Sequence, residues 1–201
     1  MSAERIAGLD EAGRGCLAGP VTAAAVILPA DAVLPGLADS KTLSPARRER
    51  LALAIREQAL AWALGWASRE EIDRLNILQA SLLAMRRALA GLAVPPSLCR
   101  VDGNQDPGLG LPTVCVVGGD GRHAEIMAAS ILAKTARDAH LLQLDARYPG
   151  YGLAAHKGYG SPAHLAALKR LGPSPEHRLS FAPCAAAARL TSGGRVSETA
   201  A

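Results

Sequence analysis

Lysine and aromatic residues are scarce in this chain, and several common motifs are missing. Four of its 22 basic residues are lysine, and aromatics make up 3% of the sequence. No apolar run is long enough to span a membrane as a helix. Met1-Ser2-Ala3-Glu4-Arg5 leads directly into a strand-like run and carries no signal-peptide core. Cys16, Cys99, Cys115 and Cys184 are widely scattered and form no C-x-x-C pair, which argues against zinc. Without an export signal, they are expected to be reduced thiols in a cytoplasm. The G-x-x-x-x-G-K-[ST] loop and the dinucleotide fingerprint are absent, which argues against a small-molecule nucleotide-binding protein or phosphatase. No Ser–His–Asp or Cys–His nucleophile arrangement is evident, and there is no internal repeat.

What remains is an apolar, mildly basic chain. Its 201 residues are 49% hydrophobic, enough for one domain, or for one domain plus a small appendage. The net charge of +4 is compatible with a polyanionic partner. Of the four lysines, Lys41, Lys134 and Lys157 fall in polar clusters, whereas Lys169 does not. A chain that mostly uses arginine keeps lysine where a compact ammonium suits better. All three tyrosines, Tyr148, Tyr151 and Tyr159, lie in one short stretch.

Strands are predicted over residues 6–11, 21–28, 59–67, 97–102 and 113–117. In the third, Trp62, Leu64 and Trp66 share one face, which reads as core packing. The fifth is continuously apolar, as a strand buried on both faces would be. Ser44-Pro45 opens a helix to about Gln58. Ser68-Arg69-Glu70-Glu71 is a capping box, and it begins one long helix with Ile72, Leu75, Leu78, Leu82, Met85 and Leu89 at helical spacing. Helices are also expected over residues 123–146 and from Ser161-Pro162 to Gly172-Pro173. From about Ala185 the chain turns Ala/Ser/Gly-rich and is expected to fray. The order predicts an α/β fold with a mixed sheet and a helical C-terminal appendage.

The most informative stretch is Gly8-Leu9-Asp10-Glu11-Ala12-Gly13-Arg14-Gly15. Two carboxylates end a strand, and a turn follows whose glycines let backbone N–H groups approach a phosphate. Asp102, in Val101-Asp102-Gly103-Asn104, and Asp120, in Gly118-Gly119-Asp120-Gly121, also stand at strand ends. Read alone, these fit a solvated pair, an Asx turn and a loop carboxylate as well. Together they would repel one another unless cations neutralised them, and two metals held by such a cluster hydrolyse phosphodiesters. Alternation along a strand sends Asp10 and Glu11 to opposite faces, so Glu11 is expected where the strand breaks, with its carbonyl oxygen an alternative ligand. Lys41 precedes a helix N-terminus that attracts anions, or is an exposed loop lysine. Tyr159 stands between two glycines near His156 and Lys157, where its ring could stack on a sugar or base.

Several segments occur in order: G-L-D-E-A-G-R-G, D-S-K-T-L-S, E-I-D-R-L-N-I-L-Q-A-S, V-D-G-N, A-A-S-I-L-A-K-T-A-R-D, Y-G-L-A-A-H-K-G-Y-G-S and H-R-L-S-F-A-P. From about Ile6 to Pro183 the chain resembles bacterial type 2 ribonuclease H (ribonuclease HII). The resemblance implies a ribonuclease H-like mixed five-stranded sheet flanked by helices, with a small helical C-terminal extension. It implies residues 1–147 as the catalytic domain, 148–184 as an extension carrying the junction tyrosine, and 185–201 as a disordered tail. It implies an endonuclease using Mg²⁺ or Mn²⁺ that cuts on the 5′ side of ribonucleotides, in RNA–DNA hybrids and singly embedded in duplex DNA. Two-metal-ion catalysis would leave a 5′-phosphate and a 3′-hydroxyl. The resemblance assigns the metal-binding carboxylates to Asp10, Glu11, Asp102 and Asp120, with Asp138 the competitor for the last. It assigns 2′-hydroxyl reading to Gly13, Arg14 and Gly15 and the junction contact to Tyr159.

Lys41 and Lys157 would hold backbone phosphates. Ser130 and Lys134, one helical turn apart, would contact the nucleic-acid backbone or the carboxylates, or simply pack. His123 and His140 read as structural or solvated, and His177 and Arg178 as fixing the C-terminal segment. Cys16 stands where the family commonly has proline. A monomer is expected, and residues 185–201 show no sliding-clamp peptide. The rival reading is an inert hybrid- or junction-binding protein.

Overall fold

The computed structural model describes residues 4–193. Its centre is a five-stranded sheet in the order β3-β2-β1-β4-β5. β1 (Ile6–Ala12) pairs antiparallel with β2 (Val21–Ile27), which pairs antiparallel with β3 (Ala61–Ala67). On its other side β1 runs parallel to β4 (Leu98–Asp102), and β4 runs parallel to β5 (Thr113–Val116). The expected mixed sheet is therefore present, with β1 in the middle.

Alternation along β2 divides its small side chains between two cores. Ala23, Ala25 and Ile27 join Leu9, Ile72, Met85 and Val101 on one face. Ala24 and Val26 join Ile55, Ile131 and Leu132 on the other. The first face is covered by α2 (Arg69–Leu75) and α3 (Ile77–Ala90), the second by α1 (Pro45–Gln58) and the 24-residue α4 (Ala124–Arg147). Gly8 is what allows α4 to lie so close to β1, because a Cβ there would stand 2.2 Å from the Glu125 carbonyl carbon.

The helix starts read from the sequence are formed. Ser44 caps α1 with Pro45 in its first turn, and Ser68 and Glu71 complete a capping box on α2. The single long helix expected after Ser68 is instead two. Asn76 adopts φ 74°, ends α2 and caps α3 by accepting from Gln79 N–H at 3.0 Å. With ψ at 164° this backbone lies outside the left-handed helical region and is strained, and the cap hydrogen bond helps to hold it.

Two burial expectations also differ. β3 is an edge strand whose small residues Ala61, Gly65 and Ala67 are the buried ones. Trp62 is 37% exposed beneath the Arg56 guanidinium at 5.3 Å, and Trp66 leans on the His140 ring. β5 is the opposite edge rather than a doubly buried strand, and Val114 is exposed.

Three helices follow α4: α5 (Leu153–His156), α6 (Pro162–Leu171) and α7 (Ala182–Gly193). The stretch expected to fray from Ala185 is thus helical as far as Gly193. Cys184 and Ala187 anchor α7 against Leu17 and Leu168. The remainder of that stretch, 194–201, lies outside the described residues.

Candidate active site

β1 and β4 are neighbouring parallel strands in a register that pairs Leu9 with Val101. The next residue of each strand is Asp10 and Asp102, so the two carboxylates emerge side by side at the same sheet end. Asp120 arrives from the turn Gly119–Gly121 after β5. Asp102 itself holds that turn, its Oδ1 accepting from Gly119 N–H at 2.7 Å and Asp120 N–H at 3.4 Å. One oxygen from each of Asp10, Asp102 and Asp120 lies within 4.8 Å of the others.

This cluster is electrostatically costly as it stands. Burial, followed by the charges of Glu11 and Asp102, holds the Asp10 carboxyl well above the usual carboxylate range. Burial also raises Glu11, with Arg14 opposing the shift and Asp102 adding to it. Lys41 relieves one side of the cluster. Its Nζ bonds Asp120 Oδ2 at 2.8 Å, and that bond raises the ammonium pKa. Three convergent hard oxygen ligands are a donor set that suits a divalent cation.

Glu11 departs from the expected geometry. β1 stays paired through Glu11↔Ala23 and Ala12↔Thr22, so the strand breaks after Glu11 rather than at it. Glu11 Oε1 accepts from Arg14 Nη1 at 3.1 Å, and its side chain lines a recess with Leu78, Ser81 and Asp102. It feels the charge of Asp102 but is not one of the three clustered oxygens.

A cleft of about 210 Å³ collects most of the other anticipated residues: Asp10, Glu11, the turn Gly13, Arg14 and Gly15, Lys41, Asp102, Ser130, Lys134 and Tyr159. The Ser130 hydroxyl works against the rise in the Asp10 pKa. It lies 2.7 Å from the Ser40 hydroxyl, and either of the two can donate. Lys134 Nζ lies 5.6 Å from the centre of the Tyr159 ring and 2.7 Å from Asp138 Oδ1. Asp138 also accepts from Arg48 at 3.1 Å, and it is not among the clustered oxygens. Lys157 is not brought into the cleft. Its side chain lines a separate recess with Arg48 and Asp138, and its carbonyl faces inward.

The Gly13–Gly15 turn rests on two arginines, of which Arg137 carries no signal in the sequence. Gly13 has φ 98°, and a Cβ there would lie 2.0 Å from Arg137 Nε. Arg137 and Arg178 are fully buried. Arg178 does tie down the C-terminal segment as expected, and it does so on the turn itself, donating to the carbonyls of Gly13 and Arg14. Tyr159 is held by a bridge to Cys16 and is 46% exposed. Behind it, the His164 Nδ1 is 2.9 Å from the Tyr159 carbonyl, and His164 and His177 join through their Nε2 atoms at 3.0 Å. His123 sits beside Arg100 and Glu125 and is not one of the clustered ligands Asp10, Asp102 and Asp120.

The family model "Ribonuclease HII" matches residues 7–184. A ribonuclease HII from Laribacter hongkongensis is 64% identical over 89% of this chain and 91% of its own length. In three dimensions the chain is similar to the ribonuclease H2 from Pyrococcus horikoshii. The TM-score is 0.78 at 24% identity, over 92% of this chain and 98% of that one. Bst-RNase HIII, solved in complex with Mn²⁺, superposes with a TM-score of 0.77 at 20% identity, over 94% of this chain and 70% of that one. With the family model spanning most of the chain and a relative this close, the chain belongs to the ribonuclease HII family and is an enzyme, a metal-dependent ribonuclease H.

Proposed function

We propose that this ribonuclease H cuts on the 5′ side of ribonucleotides, in RNA–DNA hybrids and at single ribonucleotides within duplex DNA, leaving a 5′-phosphate and a 3′-hydroxyl. The observation that carries the reading is the convergence of Asp10, Asp102 and Asp120 oxygens within 4.8 Å, in a cleft shared with the Gly13–Gly15 turn and Tyr159. Asp10, Asp102 and Asp120 would hold Mg²⁺ or Mn²⁺, with Glu11 at their margin. Mn²⁺ is the ion named with the structurally similar Bst enzyme. When bound, the ions supply Lewis acidity toward water and the phosphate.

The protein's own groups do the rest. Gly13 and Gly15 leave the turn's backbone free of side chains, so it can approach a 2′-hydroxyl. The side chain of Arg14, half-exposed while paired to Glu11, reaches the same nucleotide. Tyr159 offers its open ring to the sugar of the neighbouring deoxynucleotide, and Lys134 beside it faces the backbone. Ser130 stands beside Asp10 in the cleft, where its hydroxyl favours the ionised carboxylate. Lys41 brings positive charge to the phosphate side of the cluster. In this reading residues 1–147 carry the chemistry, and the following helices carry the junction tyrosine.

The test is an end-labelled DNA duplex with one ribonucleotide, incubated with Mg²⁺, Mn²⁺ or chelator. All-DNA duplex and single-stranded RNA serve as controls. A metal-dependent nick on the 5′ side of the ribonucleotide is expected. Cutting of continuous hybrid alone would remove the roles given to Arg14 and Tyr159. Binding without cutting in either metal would leave only a hybrid-binding protein.

A further inference from the structure

Arg137 and Arg178 are both 0% exposed, yet neither forms an ion pair with a carboxylate among the described residues. A buried cation without a counter-ion is costly unless its donors are fully used. Here they are used on backbone carbonyls alone. Arg137 donates to Pro20 (3.1 Å), Ala18 (3.0 Å) and Lys157 (2.9 Å). Arg178 donates to Gly19 (3.0 Å), Arg14 (3.0 Å), Gly13 (2.8 Å) and Pro20 (3.2 Å).

The Pro20 carbonyl accepts from both guanidiniums. A continuous chain of contacts therefore runs from Lys157, two residues before Tyr159, through Arg137, Pro20 and Arg178, to Gly13 and Arg14. The Leu17 N–H to Gly158 carbonyl bond at 2.8 Å and the Cys16↔Tyr159 bridge close it on the other side. The turn and the tyrosine come from distant parts of the sequence, yet they are fastened into one body.

We propose that Arg137 and Arg178 are positioning residues that fix the spacing between the Gly13–Gly15 turn and Tyr159, and that this spacing sets the preference for an isolated ribonucleotide over continuous hybrid. The inference rests on the substrate reading above. Its logic is geometric. A continuous hybrid offers a 2′-hydroxyl at every RNA position, so a small change of spacing still finds a partner for the turn. An isolated ribonucleotide offers one 2′-hydroxyl beside one deoxyribose, and both must be met at once. A displacement of about 1 Å is enough to cost large factors in rate when two contacts must coincide.

The experiment compares kcat/KM on a duplex with one ribonucleotide against a continuous RNA–DNA hybrid for Arg137→Lys. Lysine keeps the charge and loses the fork that reaches three carbonyls together. The ratio should fall about tenfold, while kcat on continuous hybrid stays within about threefold of the parent. An unchanged ratio, or an equal loss on both substrates, overturns the proposal. Leu51→Ala, in the α1 core away from the clamp, serves as a control for general destabilisation and should keep the parent ratio. If it lowers the ratio equally, the arginines are merely structural and the proposal fails. Should Arg137→Lys not fold, Gly158→Ala replaces it. Its methyl would stand 2.9 Å from the Ala18 carbonyl and 3.5 Å from Arg137 Nη2, and it should lower the same ratio. An unchanged ratio there also overturns the idea. Failure of the parent protein to cut at a single ribonucleotide would instead sink the substrate reading.

Discussion

Lys41 Nζ lies 2.8 Å from Asp120 Oδ2, so the carboxylate cluster carries one protein cation at its edge. Lys41→Ala should therefore act on affinity more than on the fold. The side chain of Lys41 is mostly exposed, and its loss opens no cavity. KM for hybrid should rise, and the slope of log affinity against log salt should become shallower by about one phosphate's worth. A salt titration of binding checks this, and an unchanged slope would remove Lys41 from the phosphate contacts.

Asp10→Asn should abolish cleavage while leaving the protein folded. The carboxyl is buried beside two others and is already held toward its protonated form, so the neutral amide relieves repulsion. Without metal, the melting temperature should be equal to or above that of the parent. Activity should drop by more than about 100-fold, the scale on which even a ligand's supporting partner matters. Calorimetry and nicking assays on one preparation separate the two effects.

Stability should fall on the acid side because of His177. Burial and the neighbouring His164 depress its pKa from 6.5 to about 4. The unfolded chain then binds a proton that the folded state refuses between those two values, so stability rises with pH through that window. The contribution is fully present above about pH 6.5 and is lost as pH falls toward 4, amounting to a few kcal/mol. His164 shifts in the same direction, whereas the raised Asp10 and Glu11 work against it. Denaturation midpoints at stepped pH should show a steeper acid-side fall for the parent than for His177→Asn.

Gly13→Ala should be severe for its size. The backbone at φ 98° disfavours an L side chain, and the new methyl would meet the Arg137 guanidinium. A loss of about 1–3 kcal/mol in stability is expected, with loss of cleavage. Gly15→Ala meets nothing within 4 Å and should be much milder in stability, which a pair of melts would show.

The carboxylate positions were legible because a strand followed by an acid and a glycine turn is a local pattern, and the parallel register of β1 and β4 does the rest. Asn76 was not read as a break. The apolar spacing from Ile72 to Leu89 continues across it, since α2 and α3 press on the same sheet face. Trp62 departs from the core expected of it because alternation tells which residues share a face and not whether that face is covered at a sheet edge. α7 was missed because an Ala-rich stretch shows little periodicity, although Cys184 and Ala187 pack well. Seven residues past Ser130 on α4, Arg137 reads as an ordinary polar position, and nothing local marks a guanidinium whose partners are carbonyls at residues 18, 20 and 157.

The sheet order gives the three clustered aspartates very different neighbours. Asp10 sits on the central strand opposite Ala24 of β2, while Asp120 follows a short edge strand in a turn held by two amide bonds to Asp102. Amide hydrogens around Asp10 should exchange with solvent only when the whole domain opens, and those of Gly119 and Asp120 through local fluctuations far below that limit. The cluster thus spans the most and the least protected parts of the sheet, and one of its members can loosen while the other two stay in place.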